Sequence, residues 1–264
     1  MPTHDAKGVS LHYEVSGEGP PLLLLAGMMS DSATWLPILP LLEPNFTIIR
    51  PDNRTTGRTR HAASDVSVTQ MADDAAELME SLGHQRYHIA GHSMGGLMGM
   101  EIAGTRKANV LSLTILASGP VRIARSMAMF DSLLRIRRTQ PDGEKLWLRA
   151  LYPWIFGPEF FADRSNVEIA LQAALAYPHA QSVDAMEVQI GALATFNPRV
   201  RVEDLRAKTQ AVFAEHDILI PNAAARQAFA KNPSIELHEI PDAGHSIVWD
   251  APEEVAERIS RFAT

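Results

Sequence analysis

No cysteine occurs among the 264 residues. That absence excludes disulfides, thiolate metal sites, iron–sulfur clusters and thiol nucleophiles, and it fits a cytoplasmic protein. Long apolar runs are missing too: the longest, residues 22–29, is interrupted by Gly27 and reaches about a third of what a bilayer-spanning helix needs. The opening Met1-Pro2-Thr3-His4-Asp5-Ala6-Lys7 lacks the basic-then-apolar pattern of a secretory leader, so none is expected in this chain. Positive charge is also scarce. Against 31 Asp and Glu stand 24 Lys and Arg, a formal net charge of -7, which repels a phosphate backbone on average. The densest basic stretch, Arg135-Ile136-Arg137-Arg138, reads as the wet face of a helix. Neither nucleic acid nor a membrane is an expected partner.

What is present is an ordinary globular composition, 46% hydrophobic and 21% charged, at a length near the upper end of what one core organises. Alternation over residues 9–15 predicts a half-buried strand, and short solid apolar runs at 22–26, 46–50, 86–90, 110–117, 211–214 and 235–240 predict further strands, most of them buried on both faces. Between them, Val68, Met71, Ala72, Ala75, Leu78, Met79 and Leu82 form one helical stripe that Gly83 stops. Helices are likewise predicted over 97–103, 222–231 and 252–262, the last with Pro252 in its first turn and Glu253 and Glu254 near its positive end. Strands alternating with helices imply a mostly parallel α/β sheet covered on both faces. Residues 121–199 break that rhythm and carry Trp147, Trp154, Phe156, Phe160 and Phe161. The predicted organisation is a core from 1–120 and 200–264, interrupted by a helical cap insertion over 121–199.

Gly91-His92-Ser93-Met94-Gly95 follows a predicted strand and precedes a predicted helix. That is the setting of a nucleophile elbow, in which serine occupies a strained strand-to-helix turn. Glycines flank it because a side chain there would collide with neighbouring backbone, and the helix N-terminus offers free N–H groups to developing negative charge. A serine needs a base, and the base needs an orienting acid. Asp217 follows the strand at 211–214, and His245 lies in the loop after 235–240. Both fall at carboxyl ends of parallel strands, where α/β sheets place their ligands.

Neighbours compete for these roles. Glu215 stands nearer its strand and reads as structural, Asp242 as a turn former after Pro241, and His92 as packing or a pocket wall. His84 and His88 straddle a turn and a strand, a poor metal pair. The oxyanion donors are expected to be the backbone N–H groups of Met94 and of Met28 in the loop after residues 22–26. Met28 and Met29 also suit an irregular apolar wall.

Together these motifs resemble the α/β-hydrolase superfamily nearly end to end. Asp52-Asn53-Arg54-Thr55-Thr56-Gly57-Arg58-Thr59 is similar to its Asp-x-Arg-Gly-x-Gly-x-Ser loop, and residues 244–253 resemble its closing Gly-His-x-x-x-x-Glu-x-Pro-Glu segment. The aromatic run at 151–161 looks most like the branch of aminoacrylate hydrolases and 3-oxoadipate enol-lactonases. Two positions depart: Ala26 stands where the family usually has His, and Thr55 where it has Gly. Serine at position 93, where dehalogenases and epoxide hydrolases carry Asp, argues against those activities.

The resemblance implies an α/β-hydrolase fold and a serine hydrolase cleaving a small ester, lactone or related acyl compound. Ser93, His245 and Asp217 are its expected triad, with no metal or organic cofactor. Trp154, Phe160 and Phe161 are candidate substrate walls, and Arg54 and Arg58 either face an acidic substrate or brace their loop. Two other readings stand beside it: hydrolysis of a C–C or enamine-type bond on the same triad, and a ligand-binding receptor on the same fold. A homo-oligomer is compatible with the sequence.

Overall fold

Leu22, Leu23, Leu24 and Leu25 have no exposed surface, as expected of a strand at the centre of a sheet covered on both sides. The computed structural model describes residues 2–6, 8–61 and 66–263; Met1 and Lys7 of the opening segment lie outside them. The strands are β1 (Thr3–Ala6), β2 (Val9–Ser16), β3 (Pro21–Leu25), β4 (Thr47–Pro51), β5 (Arg60–His61), β6 (Tyr87–His92), β7 (Val110–Leu116), β8 (Lys208–Ala214) and β9 (Glu236–Ile240). They form one sheet in the order β1-β2-β4-β3-β6-β7-β8-β9, with β5 also paired to β2. From β4 through β9 every ladder is parallel. Among the described residues, only β2 runs against its neighbours, β1, β4 and β5.

The two-residue period of β3 divides its leucines between two cores. Leu23 and Leu25 pack with Met71 and Met98, whereas Leu22 and Leu24 pack with Trp35, Ile38 and Val255. Met71 and Met98 come from α2 (Val68–Ser81) and α3 (Met94–Thr105), and Val255 from α10 (Pro252–Ala263); α1 (Leu39–Leu42), α8 (Asn222–Phe229) and α9 (Ile247–Asp250) are the other α-helices outside residues 121–199. Ser67 caps α2 by accepting from the Gln70 N–H at 3.1 Å, and Gly83 follows its end in the left-handed region at φ 80. Every predicted stripe residue of α2 is buried except Leu82, which is half-buried. α3 starts at Met94, three residues before the apolar periodicity becomes visible, because Gly95 and Gly96 are helical here rather than part of a turn.

Between β7 and β8 run α4 (Ala124–Arg137), α5 (Gly143–Ile155), α6 (Arg164–Ala176) and α7 (Val183–Ala194). α4 packs on α5 and α7, and α5 packs on α6. One expectation fails here. Arg137 is not on a wet face: it is 4% exposed, lies 4.1 Å from the Trp147 ring centroid and donates to both carboxylate oxygens of Glu144 at 2.7 and 2.9 Å. With α5 and α7 both against α4, one arginine of the basic stretch has to turn inward, where a carboxylate and an indole face make burial tolerable. Arg135, on the same helix, is exposed.

The helical segment is tied down beside the sheet's carboxyl edge. Ser246 N–H donates to Ile155 O at 2.6 Å, and Asp250 Oδ2 accepts from both Gly157 N–H and Gly244 N–H at 2.8 Å. Burial pushes the Asp250 carboxyl above its ordinary range, and these two N–H donors act against that rise. Among the described residues, no helix is long and apolar enough to cross a membrane.

Candidate active site

β6 ends at His92 and α3 begins at Met94, so Ser93 stands alone at the turn with φ 53 and ψ -119. A non-glycine residue in that region carries strain, which the surroundings must hold in place. Ser93 N–H donates to Leu116 O at 2.9 Å, and Ser93 O accepts from Ser118 Oγ at 2.6 Å, pinning the turn to β7. The flanking glycines follow from the same tightness. A Cβ at position 91 would stand 2.2 Å from Gly95 O, and one at position 95 would stand 2.0 Å from Leu25 O.

Asp217 and His245 reach Ser93 from the ends of β8 and β9. Asp217 Oδ1 accepts from the N–H groups of Leu219 and Ile220 at 2.9 and 2.8 Å, which leaves Oδ2 facing His245 Nδ1 at 2.8 Å. An ionised carboxylate only accepts, so Nδ1 carries the proton and Nε2 is left as an acceptor. Nε2 lies 2.9 Å from Ser93 Oγ. Asp217 and His245 are 6% and 4% exposed, so the chain of hydrogen bonds is shielded from competing water.

His92 supports this loop from below. Its Nε2 donates to the His245 carbonyl at 2.7 Å, and burial, reinforced by the neighbouring His245, lowers its pKa to about 4. The native state therefore binds fewer protons there than the unfolded chain. Stability tied to neutral His92 is complete above about pH 6.5 and is lost as pH falls toward 4, about 3 kcal/mol in all. His92→Asn keeps a donor without the titration, and urea denaturation across pH 4–7 is expected to show a correspondingly flatter acid limb. An unchanged limb would mean that the imidazole is not buried neutral.

The loop after β3 approaches the elbow closely. A Cβ at position 27 would lie 3.1 Å from both His92 Nδ1 and Ser93 Cβ, a contact tight enough that either side chain would have to shift slightly to admit it. Met94 is the first residue of α3, where a backbone N–H has no intrahelical acceptor. Met28 lies on the loop opposite and lines the cavity above Ser93. Next to it, Met29 has φ 62 and donates its N–H to Gln189 Oε1 at 2.7 Å. Gln189 comes from α7 and is fully buried. At Ala26, where the family usually has His, Asn53 Nδ2 donates to the backbone carbonyl at 3.1 Å.

The cavity over Ser93 measures about 730 Å³. Phe160 lines it together with Met28, Ser93 and His245. The other two aromatic candidates lie elsewhere: Trp154 packs under Arg125, 5.6 Å from the guanidinium, and Phe161 lines a smaller cavity beside Glu215, His216 and Asp217. Arg54 and Arg58 brace rather than face the cavity. Arg54 donates to both oxygens of Asp74 at 2.6 and 3.0 Å, and Arg58 reaches Asp52 and Glu14. Between them Thr55 has φ 76, a strained setting for a β-branched residue, and its carbonyl and hydroxyl accept from Gln181 Nε2 at 3.1 and 3.2 Å.

His88 Nδ1 pairs with Ser112 Oγ at 2.8 Å. Glu215, His216 and Asp242 bring ligand-type atoms within 4.8 Å, all exposed, and Glu215 accepts from the Asp242 N–H at 3.1 Å, closing a turn in which Asp242 has φ 57.

Sequence reasoning missed Gln189, Asn53 and the pair formed by Tyr177 OH and Asp31 Oδ2 at 2.7 Å. Only the polar character of Gln189 within an apolar helix hinted at a partner.

Comparison with known proteins agrees with this arrangement of elements. The profile of the Alpha/beta hydrolase family matches residues 22–258. A protein of Azorhizobium caulinodans named as a carbamate hydrolase, RutD, is 27% identical over 264 residues, spanning 99% of this chain and 98% of that one. The enol-lactonase from Burkholderia xenovorans LB400 superposes with a TM-score of 0.86 at 20% identity, covering 99% of both chains. A thermophilic esterase from Thermogutta terrifontis superposes with a TM-score of 0.81 at 22% identity, over 96% of this chain and 93% of that one. At such identities the two superpositions speak to fold alone.

Proposed function

Because the chain belongs to the alpha/beta hydrolase family, we propose that it is a serine hydrolase cleaving a carboxylic ester, lactone or related acyl bond. The observation that carries this reading is the continuous Asp217–His245–Ser93 hydrogen-bond chain, with separations of 2.8 and 2.9 Å.

Ser93 Oγ attacks the carbonyl carbon while His245 Nε2 takes its proton, and Asp217 stabilises the resulting imidazolium. Negative charge gathers on the carbonyl oxygen, held by the N–H groups of Met28 and Met94. Collapse breaks the bond to the leaving alkoxide, which receives the proton from His245 and departs, leaving an acyl-Ser93 ester. Water then repeats the sequence with His245 again as base, and the carboxylic acid leaves. This scheme uses no metal or organic cofactor. Catalytic release of p-nitrophenol from p-nitrophenyl acetate is expected, abolished by one equivalent of a fluorophosphonate per chain. Turnover that survives stoichiometric phosphonylation would overturn the proposal.

The names carried by relatives such as the Azorhizobium protein favour a second reading, carbamate hydrolysis on the same three side chains. A carbamate places nitrogen on the attacked carbon and leaves the proton relay unchanged. Ammonia release from a simple carbamate, measured against ester hydrolysis, separates the two.

Gln189 gives a further test of the oxyanion assignment. Gln189→Leu leaves the part-buried Met29 N–H without its acceptor, a cost that a shift of the Met28–Met29 loop would relieve. Steady-state kinetics on the acetate ester are expected to show kcat lowered about tenfold or more, with KM changed much less. An unaltered kcat with lowered thermal stability would restrict Gln189 to packing.

A further inference from the structure

The chamber over Ser93 is far larger than a carbamate requires. At about 730 Å³ it falls in the range that encloses a drug-sized ligand, whereas the unsubstituted carbamate ion has only a few non-hydrogen atoms. Its lining is mostly apolar: Phe130, Leu148, Leu151, Tyr152, Phe160 and Leu219 all face it.

The principal charged groups in the wall already have partners. Arg137 is held by Glu144, and Asp31 by Tyr177. Gln181 spends its amide N–H groups on Thr55 and Gln189, while its buried Oε1 has no hydrogen-bond partner. On α6, Ala170, Ala173 and Ala174 border the space, and these small side chains are what leave it open.

The entrance is apolar as well. Leu36, Ile169 and Trp249 are 53%, 64% and 52% exposed, and all three line this same cavity. An exposed leucine alone means little, but apolar groups gathered on the rim of an apolar chamber mark a binding surface.

We infer that the substrate carries an extended apolar acyl or aryl group, seated under α4, α5 and α6 while its carbonyl meets Ser93. The inference rests on the acyl-transfer reading above and gives it a substrate class. Each methylene moved from water into such a chamber is worth roughly three- to fourfold in kcat/KM.

A series of p-nitrophenyl esters from acetate through butyrate and hexanoate to octanoate tests it. With the native chain, kcat/KM is expected to rise about threefold per methylene as far as hexanoate. Ala174→Trp, which fills the chamber, is expected to lower the hexanoate-to-acetate ratio of kcat/KM at least about tenfold. Trp249→Ala alters a half-exposed rim position and is expected to lower the same ratio severalfold. Flat or falling kcat/KM along the series in the native chain would overturn the inference. If a fluorophosphonate still labels Ser93 under that outcome, the hydrolase reading stands and only the apolar substrate is lost; if no ester turns over and nothing is labelled, both fall.

Discussion

Ser93→Ala is expected to lower kcat for p-nitrophenyl acetate by about 10⁶-fold while leaving the fold intact. The size of the effect follows from the site being a unit. Hydrogen bonds join Ser93 Oγ, His245 and Asp217, and in the proposed mechanism the three act as one proton relay, so losing the attacking oxygen idles the other two. The fold should survive because alanine removes no bond that holds the elbow: the turn is secured by the backbone of Ser93 through Leu116 and Ser118. Circular dichroism and the urea midpoint are expected to match the native chain, with activity measured on the same sample. Retention of more than about a hundredth of the activity would point to another nucleophile, since the oxyanion hole and binding alone leave only about 10³- to 10⁴-fold over water.

Asp217→Asn is expected to cost about 10⁴-fold in kcat with little change in KM. The asparagine oxygen can keep accepting from the Leu219 and Ile220 N–H groups, which turns its NH₂ toward His245 Nδ1. Two donors cannot face each other, so the imidazole shifts its proton to Nε2, where it blocks transfer from Ser93 Oγ. The expected pattern is intact structure with the wrong tautomer. A loss smaller than about tenfold would mean that another acid orients His245. Glu215, close in sequence, is engaged instead with the Asp242 N–H.

The sequence makes some of this site legible and hides the rest for physical reasons. Gly91 and Gly95 leave a mark because only a missing Cβ fits against Gly95 O and Leu25 O. The order of Ser93, Asp217 and His245 is readable because parallel strands deliver their following loops to one edge. The direction of each aromatic side chain in residues 121–199 is not readable. Pro153 lies inside α5, and the chain then turns at Gly157, packed against Asp242 and Gly244. Which of Trp154, Phe160 and Phe161 meets the cavity depends on that turn rather than on periodicity. Gln189 is invisible for a different reason: its partner Met29 is 160 residues away, and no local pattern encodes such a pairing. Arg137 shows the same gap, since its burial requires α5 and α7 to close on both sides of α4.

Thr55 belongs to a third kind. It replaces the usual glycine and still adopts φ 76, held there by Gln181 from the segment between α6 and α7. A strained loop position supported by a distant side chain is the expected form of a local rule broken under tertiary constraint.

The most direct measurement is peptide mapping by mass spectrometry after reaction with diisopropyl fluorophosphate. A single adduct on the peptide containing Ser93, absent when His245 is replaced by alanine, is the expected result. An adduct on another serine, or equal labelling of Ser93 without His245, would contradict a nucleophile activated through the proton relay.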